Sequence, residues 1–232
     1  MDPHLSKPIP GWQRGFWSLF VVQFQGAFSD NVFKFLVIFI VSARISGETR
    51  DQYISVVLAV FALPFILFAM AGGYLADRYS KRSVVIGTKV LEVAVMALGA
   101  LGLYLQNLPV LLSVVFLMSL QSAFFGPSKY SLLPEMLPES KLSWGNGILS
   151  LGTFMAIITG GIAAGVLSDK LADTDAWMSG AGLVFLALVG LVFSRGVLNL
   201  PAANPTKKFR INFLGDIWSN LTAIRRDRVL LL

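Results

Sequence analysis

Six apolar runs, each about as long as a bilayer's hydrocarbon core is thick, constrain the fold of this chain most strongly. They cover residues 16–42, 53–76, 84–105, 109–128, 146–168 and 177–198. A helix needs about 20 mostly apolar residues to cross that core. Hydrophobic residues make up 55% of the sequence and charged residues 14%, a balance that is unusual for a water-soluble domain. The sequence therefore predicts an all-α membrane protein with a six-helix transmembrane bundle over residues 16–200.

The side chains that most often carry catalysis and metal binding are scarce. The sequence contains no cysteine and one histidine, His4, so thiolate metal sites and His-based triads are excluded. We predict no catalytic residues, no metal, no cofactor and no enzymatic activity. Residues 1–15 contain three prolines together with Lys7 and Arg14, and the first apolar run is too long for the core of a cleavable signal. We expect residues 1–15 to form a tail and that run to stay in the membrane.

The distribution of basic residues indicates orientation in a membrane rather than binding to nucleic acid. With six spans, the two chain ends and the second and fourth loops lie on one side, and that side holds most of the lysines and arginines. The other side holds only Arg44, Arg50 and Lys170. Basic loops stay on the cytoplasmic side. We therefore expect both termini in the cytoplasm and no nucleic-acid partner.

Two short motifs recur at similar offsets. The sequence QGAF at 25–28 is echoed by QSAF at 121–124, and GYLADR at 73–78 is echoed by GVLSDK at 165–170. Each offset spans three apolar runs, and an odd number of spans turns the second copy upside down in the membrane. The pattern predicts an inverted repeat of three plus three helices, as found within transporter halves.

The loop after the second run carries a recognisable signature. It reads GGYLADRYSKR over residues 72–82 and resembles the G-x-L-A-D-R signature of the major facilitator superfamily between spans two and three. The resemblance implies a transporter of that fold, with this loop as a gating motif. Ser80 stands where that family usually has glycine. The matching residues that we assign to the gating motif are Gly73, Asp77, Arg78, Lys81 and Arg82.

Major facilitators have twelve spans, whereas this chain has six apolar runs and a short apolar end at 229–232. The resemblance therefore implies an N-terminal half whose C-terminal six-helix half is missing. Residues 201–232 are expected to form a cytoplasmic loop that ends at the start of a seventh span. Phe213, Ile217, Leu221 and Ile224 share one helical face there. This stripe predicts either a helix in the headgroup layer or an ordinary packed linker helix.

Polar residues inside the first run are the main candidates for function, because a charge at the bilayer centre is costly. Gln23, Asp30 and Lys34 lie at intervals of seven and four residues, hence on one helical face, and Asn31 follows Asp30. This stripe can line a substrate or ion cavity. Alternatively, Asp30 and Lys34 only neutralise each other as an i, i+4 pair.

Other polar and small residues within the runs allow two interpretations. Lys89 and Glu92 are three residues apart in the third run, and a structural pair is the favoured interpretation. Gln121 repeats Gln25, so it is either a cavity residue or part of a buried interhelical hydrogen bond. In the fifth run, Gly152 and Gly160 belong to a series of small residues at steps of four, which predicts close helix packing.

A narrower resemblance lies in two stretches, QFQGAFSDN at 23–31 and GPSKYSLLPEMLPESKLSWGNG at 126–147. They are similar to segments of the bacterial lysophospholipid transporter family, and Asp30, Asn31, Lys129, Glu135 and Asn146 are among the matches. The resemblance implies a flippase that moves lysophospholipids, such as lysophosphatidylethanolamine, across a phospholipid membrane by alternating access. It adds Lys129 to the cavity residues.

In that family the transporter is fused to, or encoded beside, an acyltransferase and an acyl-acyl-carrier-protein synthetase, which are therefore implied partners. Two other functions stay open at this point. One is a major facilitator for another small molecule, such as a drug or a sugar. The other is a non-transporting membrane anchor for a fused acyltransferase, in which case the polar stripe would be incidental.

Overall fold

Six long helices make up the protein, for which we analysed a computed structural model that describes residues 10–170 and 176–207. All regular structure in those two ranges is helical. The helices are α1 (Trp12–Arg44), α2 (Gly47–Arg78), α3 (Lys81–Leu105), α4 (Leu108–Met136), α5 (Leu142–Lys170) and α6 (Ala176–Ser194), with a 3₁₀ turn at Glu139–Lys141 before α5. Each of the six is long and apolar enough to cross a membrane. The prediction of an all-α membrane protein is confirmed.

Helices α4 and α6 end several residues away from the ends of their apolar runs. The fourth run was expected to end at residue 128, but α4 continues to Met136 through Pro127 and Pro134. It does so because Leu132, Leu133 and Met136 are buried in a cluster with the start of α1, and this packing outweighs the hydrogen bonds that the prolines remove. The sixth run was expected to reach residue 198, but α6 ends at Ser194.

The helices pack in a symmetric pattern. Helix α1 runs along α5, α2 runs along α4, and α3 runs along α6, so each half of the bundle contributes one member to every pair. Gly160 approaches the backbone carbonyl of Phe28, and Gly72 approaches the carbonyl of Ala123 beside Phe124. Phe28 and Phe124 are equivalent residues of the two repeat motifs. The contacts therefore follow the inverted repeat that the sequence predicts.

Close approach of backbones holds these pairs together. A Cβ atom at Gly152 would lie 2.5 Å from the ring of Phe20, and one at Gly160 would lie 2.9 Å from the Phe28 oxygen. Ala156 and Ala164, on the same face of α5, are completely buried. Small residues matter here because lipid is as apolar as the helix surface, so van der Waals packing drives helix association.

One end of the bundle, which we call the basic end, gathers the start of α1, the α2–α3 turn, the α4–α5 connection and residues 195–207. Gly15 at the start of α1 packs against Leu198, which follows α6. At the opposite end, the Arg44 guanidinium donates to the backbone carbonyl and the side chain of Gln106. The predicted amphipathic helix and the start of a seventh span fall in residues 208–232, outside the described residues.

Candidate functional site: a polar-lined cavity in the bundle

A cavity of about 610 Å³ lies among α1, α2, α4 and α5, and Lys89 of α3 also contributes to its wall. All six cavity residues named from the sequence line it, namely Gln23, Asp30, Asn31, Lys34, Gln121 and Lys129. They come from α1 and α4, the two helices that carry the equivalent repeat motifs. The structure brings these residues together, while their role in transport stays a prediction.

Asp30 is the carboxylate of this cavity. It lies in the middle of α1 and is 5% exposed. Its Oδ2 atom accepts a hydrogen bond of 2.6 Å from the Ser122 hydroxyl of α4, while its buried Oδ1 atom has no hydrogen-bond partner. Most buried polar atoms in proteins have a partner. Asp30 is thus held through one oxygen, while its other oxygen is buried without a hydrogen bond.

Lys34 does not form the ion pair with Asp30 that the sequence allowed. Its ammonium donates to Asn31 Oδ1 at 2.7 Å and lies 4.7 Å and 4.5 Å from the ring centres of Phe35 and Phe61. No ion pair within 4 Å joins Asp30 to any cation in the described ranges. Asp30 and Lys34 therefore do not form a direct ion pair.

The remaining polar residues of the wall contact either α5 or a neighbour on their own helix. Gln23 donates to the Thr153 hydroxyl of α5 at 2.9 Å, and Gln121 donates to Ser122 at 3.2 Å. Lys129 is 6% exposed and lies inside α4, whereas the sequence placed it beyond the fourth span. Its ammonium lies 4.2 Å from the centre of the Tyr130 ring.

Most of the other residues of the cavity wall are apolar. Phe61, Phe65 and Ala69 of α2 and Ile157 of α5 line it, together with Val22 and Phe125. Charged and amide groups on α1 and α4 therefore share one chamber with aromatic and aliphatic side chains. Such a surface complements an amphipathic ligand, because a hydrocarbon chain and a polar headgroup both find matching contacts.

A second buried polar cluster lies between α1 and α3. Lys89 donates to Glu92 Oε2 at 2.5 Å and to Gln25 Oε1 at 2.8 Å, and Gln25 donates to Glu92 Oε1 at 2.8 Å and to Ser29. The Lys89–Glu92 pair predicted from spacing is present. Sequence reasoning missed Gln25 as its third member, although Gln25 opens the repeated QGAF motif.

The gating signature lies at the basic end and contacts the segment after α6. Asp77 accepts a 2.6 Å hydrogen bond from the Lys207 ammonium, and Arg78 donates to the Lys207 carbonyl at 2.6 Å. Arg82 donates to the backbone carbonyl of Arg195. The sequence indicated neither Lys207 nor residue 195 as partners, because such tertiary contacts leave no local pattern.

Lys81 of the signature is 1% exposed and forms an ion pair of 2.7 Å with Glu135 near the end of α4. Glu135 was noted only as a match to the lysophospholipid transporter segments.

Gly73 has open space around its Cα, whereas its neighbour Gly72 is packed against α4. The glycine that close packing requires is therefore Gly72, not the Gly73 named from the motif.

Ser80, which departs from the family signature, fits the turn without strain. Its φ and ψ angles are −59° and 132°, a conformation open to any residue. Its hydroxyl accepts a hydrogen bond from the Ser83 backbone N–H at 3.2 Å and caps α3. A glycine is not needed at this position, and serine supplies a helix cap that glycine lacks.

A search of the described residues finds no group of three or more His, Cys, Asp or Glu side chains that could hold a metal ion. The charged groups of the cavity are instead one carboxylate and three ammonium groups, those of Lys34, Lys89 and Lys129. This set can bind ions and zwitterions by charge and hydrogen bonding.

The fold agrees with known transporters. A crystal structure of the peptide transporter POT in complex with sulfate superposes with a TM-score of 0.67 at 16% identity, covering 92% of this chain and 44% of that one. The POT family transporter PepTSo superposes with a TM-score of 0.65 at 21% identity, covering 90% and 42%. At these identities the likeness shows the fold alone.

Sequence comparison identifies the family. The lysophospholipid transporter LplT of Salmonella gallinarum is 30% identical over 220 residues, covering 90% of this chain and 51% of that protein. The LplT of Salmonella newport is 30% identical over 204 residues, covering 87% and 47%. The chain thus spans about half the length of the curated relatives that it matches. Residues 19–232 match the sequence profile of the Major Facilitator Superfamily, and the chain therefore belongs to that superfamily.

Proposed function

We propose that this chain is the N-terminal half of a transporter that moves lysophospholipids across the membrane by alternating access. The relatives named above are lysophospholipid transporters, and this chain covers about half of each. The completing partner is a C-terminal six-helix half. The cavity would open and close between the two halves as they rock.

The amphipathic cavity is the observation that carries this proposal. A lysophospholipid has one acyl chain and a charged headgroup. In our proposal the free oxygen of Asp30 binds the headgroup ammonium, and the phenylalanines of α2 contact the acyl chain. A sugar would leave this apolar wall without a matching surface. A non-transporting anchor would have no use for an unpaired buried carboxylate, since isolated buried charges are costly.

We further propose that the basic end faces the cytoplasm of a bacterium and that the membrane is the inner one. Basic residues concentrate at this end, as the positive-inside rule requires. The signature loop would serve as a gate whose contacts change as the halves move. The lysophospholipid would then reach an acyltransferase on the cytoplasmic side, with an acyl-acyl-carrier-protein synthetase supplying the acyl group.

Single cysteines test this orientation, because residues 1–232 contain none. Glu48 and Lys141 are exposed at opposite ends of the bundle. A cysteine at Glu48 should react with a membrane-impermeant thiol reagent added to intact cells, and one at Lys141 should react only after lysis. Lys141 is a better probe than Lys81, which is buried in its ion pair. Labelling of the Lys141 position in intact cells would overturn the orientation.

Transport itself is tested with the full-length protein in proteoliposomes. Uptake of labelled lysophosphatidylethanolamine is compared with uptake of a sugar and with that of a cationic drug. We expect uptake of the lysophospholipid alone, with saturation at increasing concentration. Transport of the sugar or the drug in its place would reject the proposed substrate, and absence of all transport by folded protein would reject the transporter assignment.

A further inference from the structure

The lysines buried in the bundle differ in one respect, which is whether they have an oxygen partner. Lys81 is paired with Glu135, and Lys89 is paired with Glu92 and Gln25. Lys34 donates to Asn31. Lys129 is also buried, with only 6% of its surface exposed. However, no carboxylate, amide or carbonyl of the described chain accepts a hydrogen bond from it. Its one close contact is the ring of Tyr130.

An ammonium group that lines a cavity and has no oxygen acceptor can bind an anion. Removing a charge from water is unfavourable unless an opposite charge or hydrogen bonds compensate, and one aromatic ring supplies only part of that compensation. Lys129 lines the same cavity as Asp30. Among the described residues, Asp30, Lys34 and Lys129 of the cavity wall therefore have no ion-pair partner, and Lys129 also has no oxygen acceptor.

Geometry places these two groups within reach of a single ligand. Ser122 of α4 contacts Asp30 directly, and Lys129 follows Ser122 by seven residues, which is two turns and about 10.5 Å along the same face of a helix. Side chains on a helix lean toward its N-terminus, so the long lysine side chain extends back toward the level of Ser122. A ligand with a negative and a positive group can thus span the two.

We propose that Lys129 is the anion-binding residue of the cavity, which takes the phosphate of a zwitterionic lysophospholipid headgroup while Asp30 takes its ammonium. The inference rests on the proposed function and deepens it, because it assigns a separate side chain to each headgroup charge. It also distinguishes Lys129 from Lys34, whose ammonium already has an acceptor and two rings.

The test measures ligand binding to the purified full-length protein by titration calorimetry. Three probes share one acyl length: lysophosphatidylethanolamine, lysophosphatidic acid, which lacks the ammonium, and a long-chain alkylamine, which lacks the phosphate. Inorganic phosphate is the fourth probe and separates a lipid headgroup from the free anion. The variants are Lys129→Gln, Lys129→Arg and, as a matched control, Lys141→Gln, which removes an exposed lysine outside the bundle.

We expect Lys129→Gln to weaken binding of both phosphate-bearing lipids about 10- to 100-fold and to leave alkylamine binding unchanged. Lys129→Arg should retain most of the affinity, and Lys141→Gln should retain all of it. Inorganic phosphate should bind far more weakly than the lipids. Equal losses for all probes, or tight binding of inorganic phosphate alone, would overturn the assignment, as would normal lipid binding by Lys129→Gln. If wild-type protein transports lysophospholipid but the variant binds normally, only the Lys129 assignment fails.

Discussion

Charged side chains at the basic end differ from those in the cavity in whether they form ion pairs. At the basic end, Lys81 is paired with Glu135 and Asp77 with Lys207. In the cavity, neither Asp30 nor Lys129 has an opposite charge within 4 Å among the described residues. The paired charges join elements of the bundle to one another, whereas in our proposal the unpaired cavity charges bind a ligand.

The largest effect on stability is expected at the buried pair Lys89–Glu92. Replacing Glu92 with Gln leaves the Lys89 ammonium buried without its counter-charge, which should lower the free energy of unfolding by about 3–5 kcal/mol. Chemical or thermal unfolding of the full-length protein in detergent measures the loss. The double variant Lys89→Gln, Glu92→Gln strands no charge and should recover most of the stability. Wild-type stability of the single variant Glu92→Gln would show that the pair is dispensable for folding.

Asp30 should behave in the opposite way. Replacing Asp30 with Asn keeps the Ser122 contact possible but removes the charge, so folding should be preserved while uptake of labelled lysophosphatidylethanolamine falls about 10- to 100-fold. Because Lys34 is held by Asn31 rather than by Asp30, adding Lys34→Gln should not restore transport. Full activity of the double variant, at matched expression in proteoliposomes, would mean that Asp30 serves only to balance Lys34.

Asp77 tests whether the signature does more than bind the segment after α6. The Asp77–Lys207 pair is about 42% exposed on both sides, and exposed pairs contribute only ~0.2–1 kcal/mol. If Asp77 gates transport, Asp77→Asn should slow uptake several-fold, whereas Lys207→Gln should have a smaller effect. Initial uptake rates and the amount of inserted protein are measured together. Identical uptake rates for the two variants would show that Asp77 only binds the segment after α6 through Lys207.

Ser80 carries the smallest expected effect. Its hydroxyl caps α3, so Ser80→Ala should cost about 1 kcal/mol of stability and Ser80→Gly only a few tenths. Both changes should leave uptake close to normal, since the backbone at residue 80 does not require glycine. Thermal unfolding of the two variants provides the measurement. A gain in stability with glycine would indicate that the turn is strained after all.

Much of the fold could be predicted because long apolar runs in the sequence identify membrane-spanning helices. Six spans follow from run length alone, since every backbone polar group in lipid needs an internal partner. The polar stripe Gln23, Asp30 and Lys34 follows from helical periodicity. The ends of the helices were harder to predict. Helix α4 continues through Pro127 and Pro134 because residues at its end pack against α1, and the local sequence does not show this packing.

The sequence by itself determined the number of spans, the repeat, the signature and the list of polar residues inside the membrane. Only the tertiary structure decided which of those residues have partners. Asp30 contacts Ser122 and not Lys34, and Lys89 is paired with Glu92 and hydrogen-bonded to Gln25. Within residues 10–170 and 176–207, Lys129 has no oxygen acceptor. The physical reason is that periodicity places a side chain on a helix face, whereas its partner is set by which helix packs against that face and at what level.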